Sequence, residues 1–173
     1  VYRAFSGRSD MLRVIIIGQD PYPNSHANGI AFATDQISKP ISLRSIEKAI
    51  QKELEYPAEW MIQNDLMNVV NQGVLMLNSA LTVEEGKPGG YIDVWYPFVK
   101  EVIKAVNQLP QPIIFLLMGG KARNFEPLIT HKHIFTVEHP SAAARASREW
   151  ESKGSFALIN EHLQRIGVPV IKW

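Results

Sequence analysis

The sequence predicts an α/β protein: a three-layer αβα domain with a central four-stranded, mainly parallel sheet flanked by helices. Three observations predict it. Four short apolar runs, at 12–17, 74–77, 112–118 and 134–137, lack the alternation of a half-solvated strand and suit parallel strands buried on both faces. Stretches with apolar residues at helical spacing separate the runs, as in a βαβ succession. Each run also ends in a glycine or a polar side chain, and the carboxyl ends of the strands are where open α/β sheets bind ligands.

The first run, Leu12 to Ile17, breaks at Gly18 into Gln19, Asp20 and Tyr22, which Pro21 and Pro23 hold in a stiff loop by fixing φ. Ser42 is placed to cap a helix with Leu43, Ile46, Ile50 and Leu54 on one face, ended by Pro57 at the latest. Trp60, Met61, Leu66, Val69 and Val70 suit a packed helix that stops at Gly73. Val74 to Leu77 is the second strand, with Asn78 at its end. Leu81 to Val83 is a short apolar extension, and Glu84 to Gly90 is a loop rich in glycine.

Asp93 opens a helix whose apolar face holds Trp95, Phe98, Val99, Val102, Ile103 and Val106, closed by Pro110. Pro112 to Met118 is the third strand. Gly119 and Gly120 follow it, and Lys121 to Leu128 reads as a short helix whose N-terminal amides face the same edge. Ile134 to Val137 is the fourth strand, and His139 comes directly after it in HPSAAAR. The last helix runs from Ser155 to Ile166 and stops at Gly167. There is no internal repeat and no low-complexity linker.

Composition sets the bounds. The 173 residues, 46% hydrophobic and 20% charged, fit one domain over 1–173. No apolar run is long enough for a membrane span and no signal-peptide pattern opens the chain, so an intracellular place is the default, in the cytoplasm, nucleoid or nucleus. Without cysteine there is no disulfide framework and no thiolate metal site. A formal charge of +1 is too balanced to announce a nucleic-acid binder, so any DNA contact must come from local patches. The chain begins at Val1 without methionine or a capping signal, which leads us to expect a missing N-terminal segment.

The polar residues fall where a site would form. Gln19 and Asp20, Asn78, Gly119 and Gly120, and His139 all follow strands, and in a parallel sheet these ends lie along one edge. Each alone also fits a structural role: Asn78 as a turn former, His139 as a satisfied loop histidine, the glycines as a helix entry. Together they point to a site.

GQDPY at 18 to 22, VLMLNSALTV at 74 to 83, IFLLMGG at 114 to 120 and HPS at 139 to 141 resemble, in order and spacing, the successive motifs of the uracil-N-glycosylase family of uracil-DNA glycosylases. The resemblance runs from about Val1 to the closing IKW. HPSAAAR followed by SFALIN, and Pro23 after Tyr22, look closer to the poxviral branch than to the cellular pattern. The family usually carries a further N-terminal helical segment, so a shortened chain is expected here.

The resemblance implies an enzyme of DNA base excision repair that flips deoxyuridine out of DNA, hydrolyses its N-glycosidic bond, releases free uracil and leaves an abasic site. It implies Asp20 and His139 as catalytic residues, the first orienting or activating water and stabilising the sugar cation, the second donating to uracil O2. Gln19, Tyr22, Phe32 and Asn78 would bind uracil: Phe32 by stacking, Tyr22 by filling the space of a thymine methyl, Asn78 by pairing with the N3–H and O4 edge. Pro40, Ser42, Gly119, Gly120, Ser141, Ala143 and Arg145 would meet DNA. The implied partners are uracil-containing DNA, single- or double-stranded, the product uracil, and a DNA-mimic inhibitor or replication accessory protein, with no membrane.

Three departures accompany the resemblance. Gly120 stands where the family usually has serine, leaving phosphate contact there to backbone N–H groups. Ala143 stands where cellular members carry a leucine wedge, which implies a stronger preference for single-stranded or mispaired uracil. Pro23 replaces a common histidine in a loop that reads one residue shorter, which could shift Phe32. No cofactor or metal is expected, because water is the nucleophile. A metal reading of His131, His133 and His139 is weaker, the H-x-H pair lying at a strand entrance without a nearby acidic partner. The alternatives from other classes are a glycosylase-like DNA-docking or replication-accessory subunit with little catalysis, and a glycosylase for another damaged base.

Overall fold

The computed structural model describes residues 1–173. Four strands, β1 (Val14–Gly18), β2 (Val74–Asn78), β3 (Ile114–Met118) and β4 (His133–Val137), form one sheet in the order β2-β1-β3-β4. Every neighbouring pair is parallel, with Val14 opposite both Val74 and Ile114, and Ile114 opposite His133. The expected sheet is therefore present and wholly parallel. The chain leaves β1 to one side for β2 and then crosses to the other for β3, so β1 and β3 meet at a topological switch point, where doubly wound sheets open a crevice.

Alternate residues of the buried runs feed two cores. Val14, Ile16, Met76, Leu116 and Met118 face a layer made by α1 (Ile41–Glu53), α5 (Pro140–Arg145) and α6 (Ser155–Arg165). Ile15, Ile17, Leu75, Leu77, Phe115 and Leu117 face α3 (Ile92–Asn107) and α4 (Gly120–Arg123). Burial on both faces explains why β1 and β3 carry no polar alternation. β4, one of the two edge strands, differs from the expected buried run, with only Val137 fully inside, whereas the other edge strand, β2, is buried.

Several helices differ from expectation for local reasons. α1 begins at Ile41 behind an extended Pro40, and Ser42 is buried in its first turn with no capping bond. The expected helix through Trp60 shrinks to one turn, α2 (Met67–Val70). Leu66 enters it at φ 53 and the Asp65 carboxylate accepts the Met67 N–H, so the helix cannot extend backwards. The stretch expected as a helix over Lys121 to Leu128 splits into α4 and a 3₁₀ turn at Glu126–Leu128. HPSAAAR contains the helix that the sequence reading did not separate: Pro140 sits at its first position, with φ already set for a helix, and alanines follow. No helix is long and apolar enough to cross a membrane.

One contact ties α1 to α6. Glu53, at the end of α1, accepts the Phe156 N–H at 2.8 Å and the Ala157 N–H at 3.0 Å, two of the free amides that open α6, and also bonds the Ser152 hydroxyl. Glu53→Ala should lower stability by about 2 kcal/mol, since charge-assisted bonds to half-buried amides are lost. Urea unfolding would register this as a lower midpoint with an unchanged m value; an unchanged midpoint would show that the bridge contributes nothing.

Candidate functional site

A cavity of about 260 Å³ opens at the carboxyl edge of the sheet, lined by Gln19, Asp20, Tyr22, Phe32, Asn78 and His139. These residues come from the ends of β1, β2 and β4 and from the loop after β1, and Ser42, Ser141 and Arg145 stand at the same cavity. Pro40, Gly119, Gly120 and Ala143 do not line it.

Two glycines make this convergence sterically possible. A Cβ at Gly18 would lie 2.7 Å from Asn78 Oδ1 and 2.8 Å from Phe32 Cζ, so the absence of a side chain lets both close over the end of β1. Gly119 has φ +95, and a Cβ there would come within 2.9 Å of His139 Cβ, so it lets His139 lie across the end of β3. Backbone bonds fix the edge further: the Ser79 N–H donates to Gly18 C=O at 3.1 Å, and the Ala80 N–H to Gln19 C=O at 3.0 Å.

Asp20 is half-buried. Its carboxylate accepts the backbone N–H of Gly89 and, at 3.3 Å, the Gln19 amide. Burial raises its pKa above the usual carboxylate value, while the Gly89 and Gln19 donors oppose that rise. The Glu84 to Gly90 loop read only as a loop, yet Gly89, at φ +87, turns its amide onto Asp20, and Pro88 joins the cavity wall. The cluster of glycines was the signal; its target is set by tertiary folding.

His139 precedes α5 and caps it, its Nδ1 accepting the Ser141 N–H at 3.3 Å, with the Ser141 hydroxyl 2.9 Å from the same nitrogen. An Nδ1 that accepts a backbone N–H carries no proton, so the neutral ring bears its hydrogen on Nε2. Burial, and then the positive charge of Arg145, lower its pKa to about 4, so the ring is neutral near pH 7. The site therefore holds a neutral Nε2–H donor. Engaged with His139, the Ser141 hydroxyl would have to turn away from Nδ1 to reach a phosphate.

Phe32 is held in the cavity wall by its own backbone and by the chain around it. It adopts φ 66, a left-handed conformation that a bulky residue rarely takes. Its carbonyl accepts the Tyr22 hydroxyl at 2.8 Å, and the Ala31 N–H bonds Met76 C=O at 3.1 Å. Its ring lies 5.6 Å from that of His139. Burial raises the Tyr22 pKa, keeping the phenol neutral, and His26 meets the Tyr22 ring edge-on. The Asn78 amide makes no hydrogen bond with protein groups through its side chain, so its donor and acceptor remain free for a ligand.

Two of the expected DNA contacts stand in opposite settings. Ala143 has no exposed surface, because α5 turns it into the core beside α1; in this arrangement it presents nothing to a duplex. Gly120 is exposed, and a Cβ there would meet nothing within 4 Å, so the usual serine is missing from open space. His131 and His133 lie at the far end of β4 from His139, and no group of three or more candidate metal ligands forms.

The electrostatics define what the cavity can do. A carboxylate and a neutral imidazole donor flank a space walled by an aromatic ring and read by a free amide, which suits a planar heterocycle leaving with negative charge from a cationic centre. Residues 6–164 match the family model described as the Uracil DNA glycosylase superfamily. The chain is 38% identical over 170 residues to a "Uracil-DNA glycosylase" of Streptococcus mutans, covering 95% of this chain and 76% of that protein. To a "Uracil-DNA glycosylase" of Streptococcus pneumoniae it is 36% identical over 167 residues, 94% and 75% of the respective lengths. A crystal structure of a mimivirus UNG variant in complex with UGI shares the fold, with a TM-score of 0.88 at 24% identity, over 100% of this chain and 73% of that one.

Proposed function

Because the chain belongs to the uracil DNA glycosylase superfamily, we propose that the cavity at its sheet edge is where deoxyuridine is held and cut, with Asp20 and His139 on opposite sides of the scissile bond. The protein is a DNA-repair hydrolase: it binds uracil-containing DNA, breaks the N-glycosidic bond, releases uracil and leaves an abasic site. The observation that carries the site assignment is that Asp20, Phe32, Asn78 and His139, far apart in sequence, line one cavity.

In the proposed mechanism the flipped base slides against Phe32, and Asn78 pairs with its N3–H and O4, a pattern that cytosine inverts. Tyr22 occupies the place of a thymine methyl, and Gln19 contributes backbone contact to the base. As the C1′–N1 bond breaks, its electron pair goes to uracil, and the His139 Nε2–H meets the charge gathering on O2. Ionised Asp20 faces the cationic sugar and takes the proton of the water that adds to C1′. A base-release assay with oligonucleotides carrying uracil, cytosine or thymine tests this: release of uracil alone, inhibited by free uracil, is expected, and release of thymine or cytosine at similar rates would refute the roles of Tyr22 and Asn78.

Gly18→Ala must displace Asn78 and Phe32, lowering kcat/KM for uracil release by roughly 10²-fold, the effect of a misplaced reacting group. A variant with parental kcat/KM would mean that these side chains do not hold the base.

At the rim, Ser42, Ser141 and Arg145, with Pro40 at the start of α1 and the amides of Gly119 and Gly120, are the proposed DNA-backbone contacts. With a small, buried residue at Ala143, no side chain fills the gap left by the flipped base, so single-stranded or mispaired uracil should be cut faster than uracil in a U·A duplex. Equal rates on the two would contradict this. A DNA-mimic protein such as an inhibitor would compete for the same edge.

A further inference from the structure

The helices that frame the cavity also frame a groove beside it. α1 gives Ser42 to the cavity and Arg44 and Lys48 to a groove of about 650 Å³; α5 gives Ser141 and Arg145 to the cavity and Ala144 to the groove. Arg148 and Glu149 complete its charged lining. Arg44 and Lys48 stand one helical turn apart, both exposed, and neither makes a salt bridge. The nearest acidic residue of α1, Glu47, is held by Lys39, and Arg148 is held by Glu138. Like charges at this spacing repel unless an anion lies between them. Its lining holds three cationic side chains, one of them paired with Glu138, against the single carboxylate of Glu149, so positive charge prevails in a groove built on the same two helices, α1 and α5, as the base cavity.

We propose that this groove carries the backbone of single-stranded DNA flanking the extruded uracil, with Arg44 and Lys48 each neutralising one phosphate. The inference rests on the uracil-excision reading of the cavity and extends it along α1. Lys48 lies six residues beyond Ser42, roughly 9 Å along the helix axis and away from the sheet edge. A strand following that path must turn down the flank of the helix layer. A duplex, with a persistence length of about 50 nm, follows such a turn only at a cost in elastic energy, whereas a flexible single strand follows it without that cost.

The test is the salt dependence of binding for the parent and an Arg44→Gln/Lys48→Gln variant, using a long single-stranded oligonucleotide with uracil at its centre and a short one that ends beside the uracil. Each phosphate contact to a single strand contributes about 0.7 to the slope of log K against log salt, so the variant should lose about 1.4 on the long strand and nothing on the short one. Its kcat on the short strand should equal that of the parent. An unchanged slope on the long strand would overturn the proposal, and so would an equal loss on both strands, which would mark a diffuse field rather than a groove. Uracil release by the parent is read separately, so failure of the cavity assignment shows as absent release and failure of the groove as an unaltered slope.

Discussion

Asp20→Asn lowers kcat for uracil release by roughly 10²–10³ while leaving the fold intact, because an amide cannot take a proton from water and carries no charge to face the sugar cation. The substitution is nearly isosteric, and the Gly89 N–H that Asp20 accepts can still bond the remaining carbonyl oxygen. KM should therefore change little. Single-turnover release checks the expectation; a parental rate would remove Asp20 from the chemistry. Acidification should act the same way. Burial places the Asp20 pKa above that of an ordinary carboxylate, so activity is present above that raised value and is lost as pH falls through it. His139, lowered to about 4, is a neutral donor above that value and adds no step near 6.5. A kcat profile with a step at the ordinary histidine value would mean that the imidazole works charged.

His139→Ala is the second large effect, also roughly 10²–10³ in kcat, the usual consequence of deleting one preorganised donor to a developing anion. Here a structural role must be separated from the chemical one, since His139 also caps α5 through Nδ1. His139→Asn separates them, because asparagine is a strong capping acceptor. It should restore the thermal midpoint lost in His139→Ala and leave kcat far below the parent. Recovery of kcat together with the midpoint would make the histidine a cap and nothing more.

Much of the fold was legible because burial on both faces leaves a simple mark: the unbroken apolar runs of β1, β2 and β3 need no partner to be recognised. β4 was legible only in position: of the two edge strands, β2 is buried and β4 half-exposed, a difference set by what packs over each rather than by its own apolar run. The one-turn helix α2 shows the limit of periodicity, for Leu66 in a left-handed conformation ends a pattern that reads as continuous. Ser42 illustrates the same limit at a helix start: the helix begins at Ile41, so a residue suited to capping is buried inside the first turn instead.

For the candidate site, residue types were legible and geometry was not. GQDPY and HPS name chemically capable groups, but the Nδ1 bond that fixes the His139 tautomer arises only once α5 forms. The space under Phe32 and Asn78 depends on Gly18 lacking a Cβ, a cross-strand fact. Ala143 shows how a matched position can lie differently, because its methyl group faces α1 rather than solvent.

The most direct measurement is the release of free base when the purified chain is mixed with a single-stranded oligonucleotide containing one uracil. Stoichiometric uracil and an abasic strand are expected at neutral pH. A strand that is bound with its uracil intact would contradict this and leave a DNA-docking module in place of an enzyme.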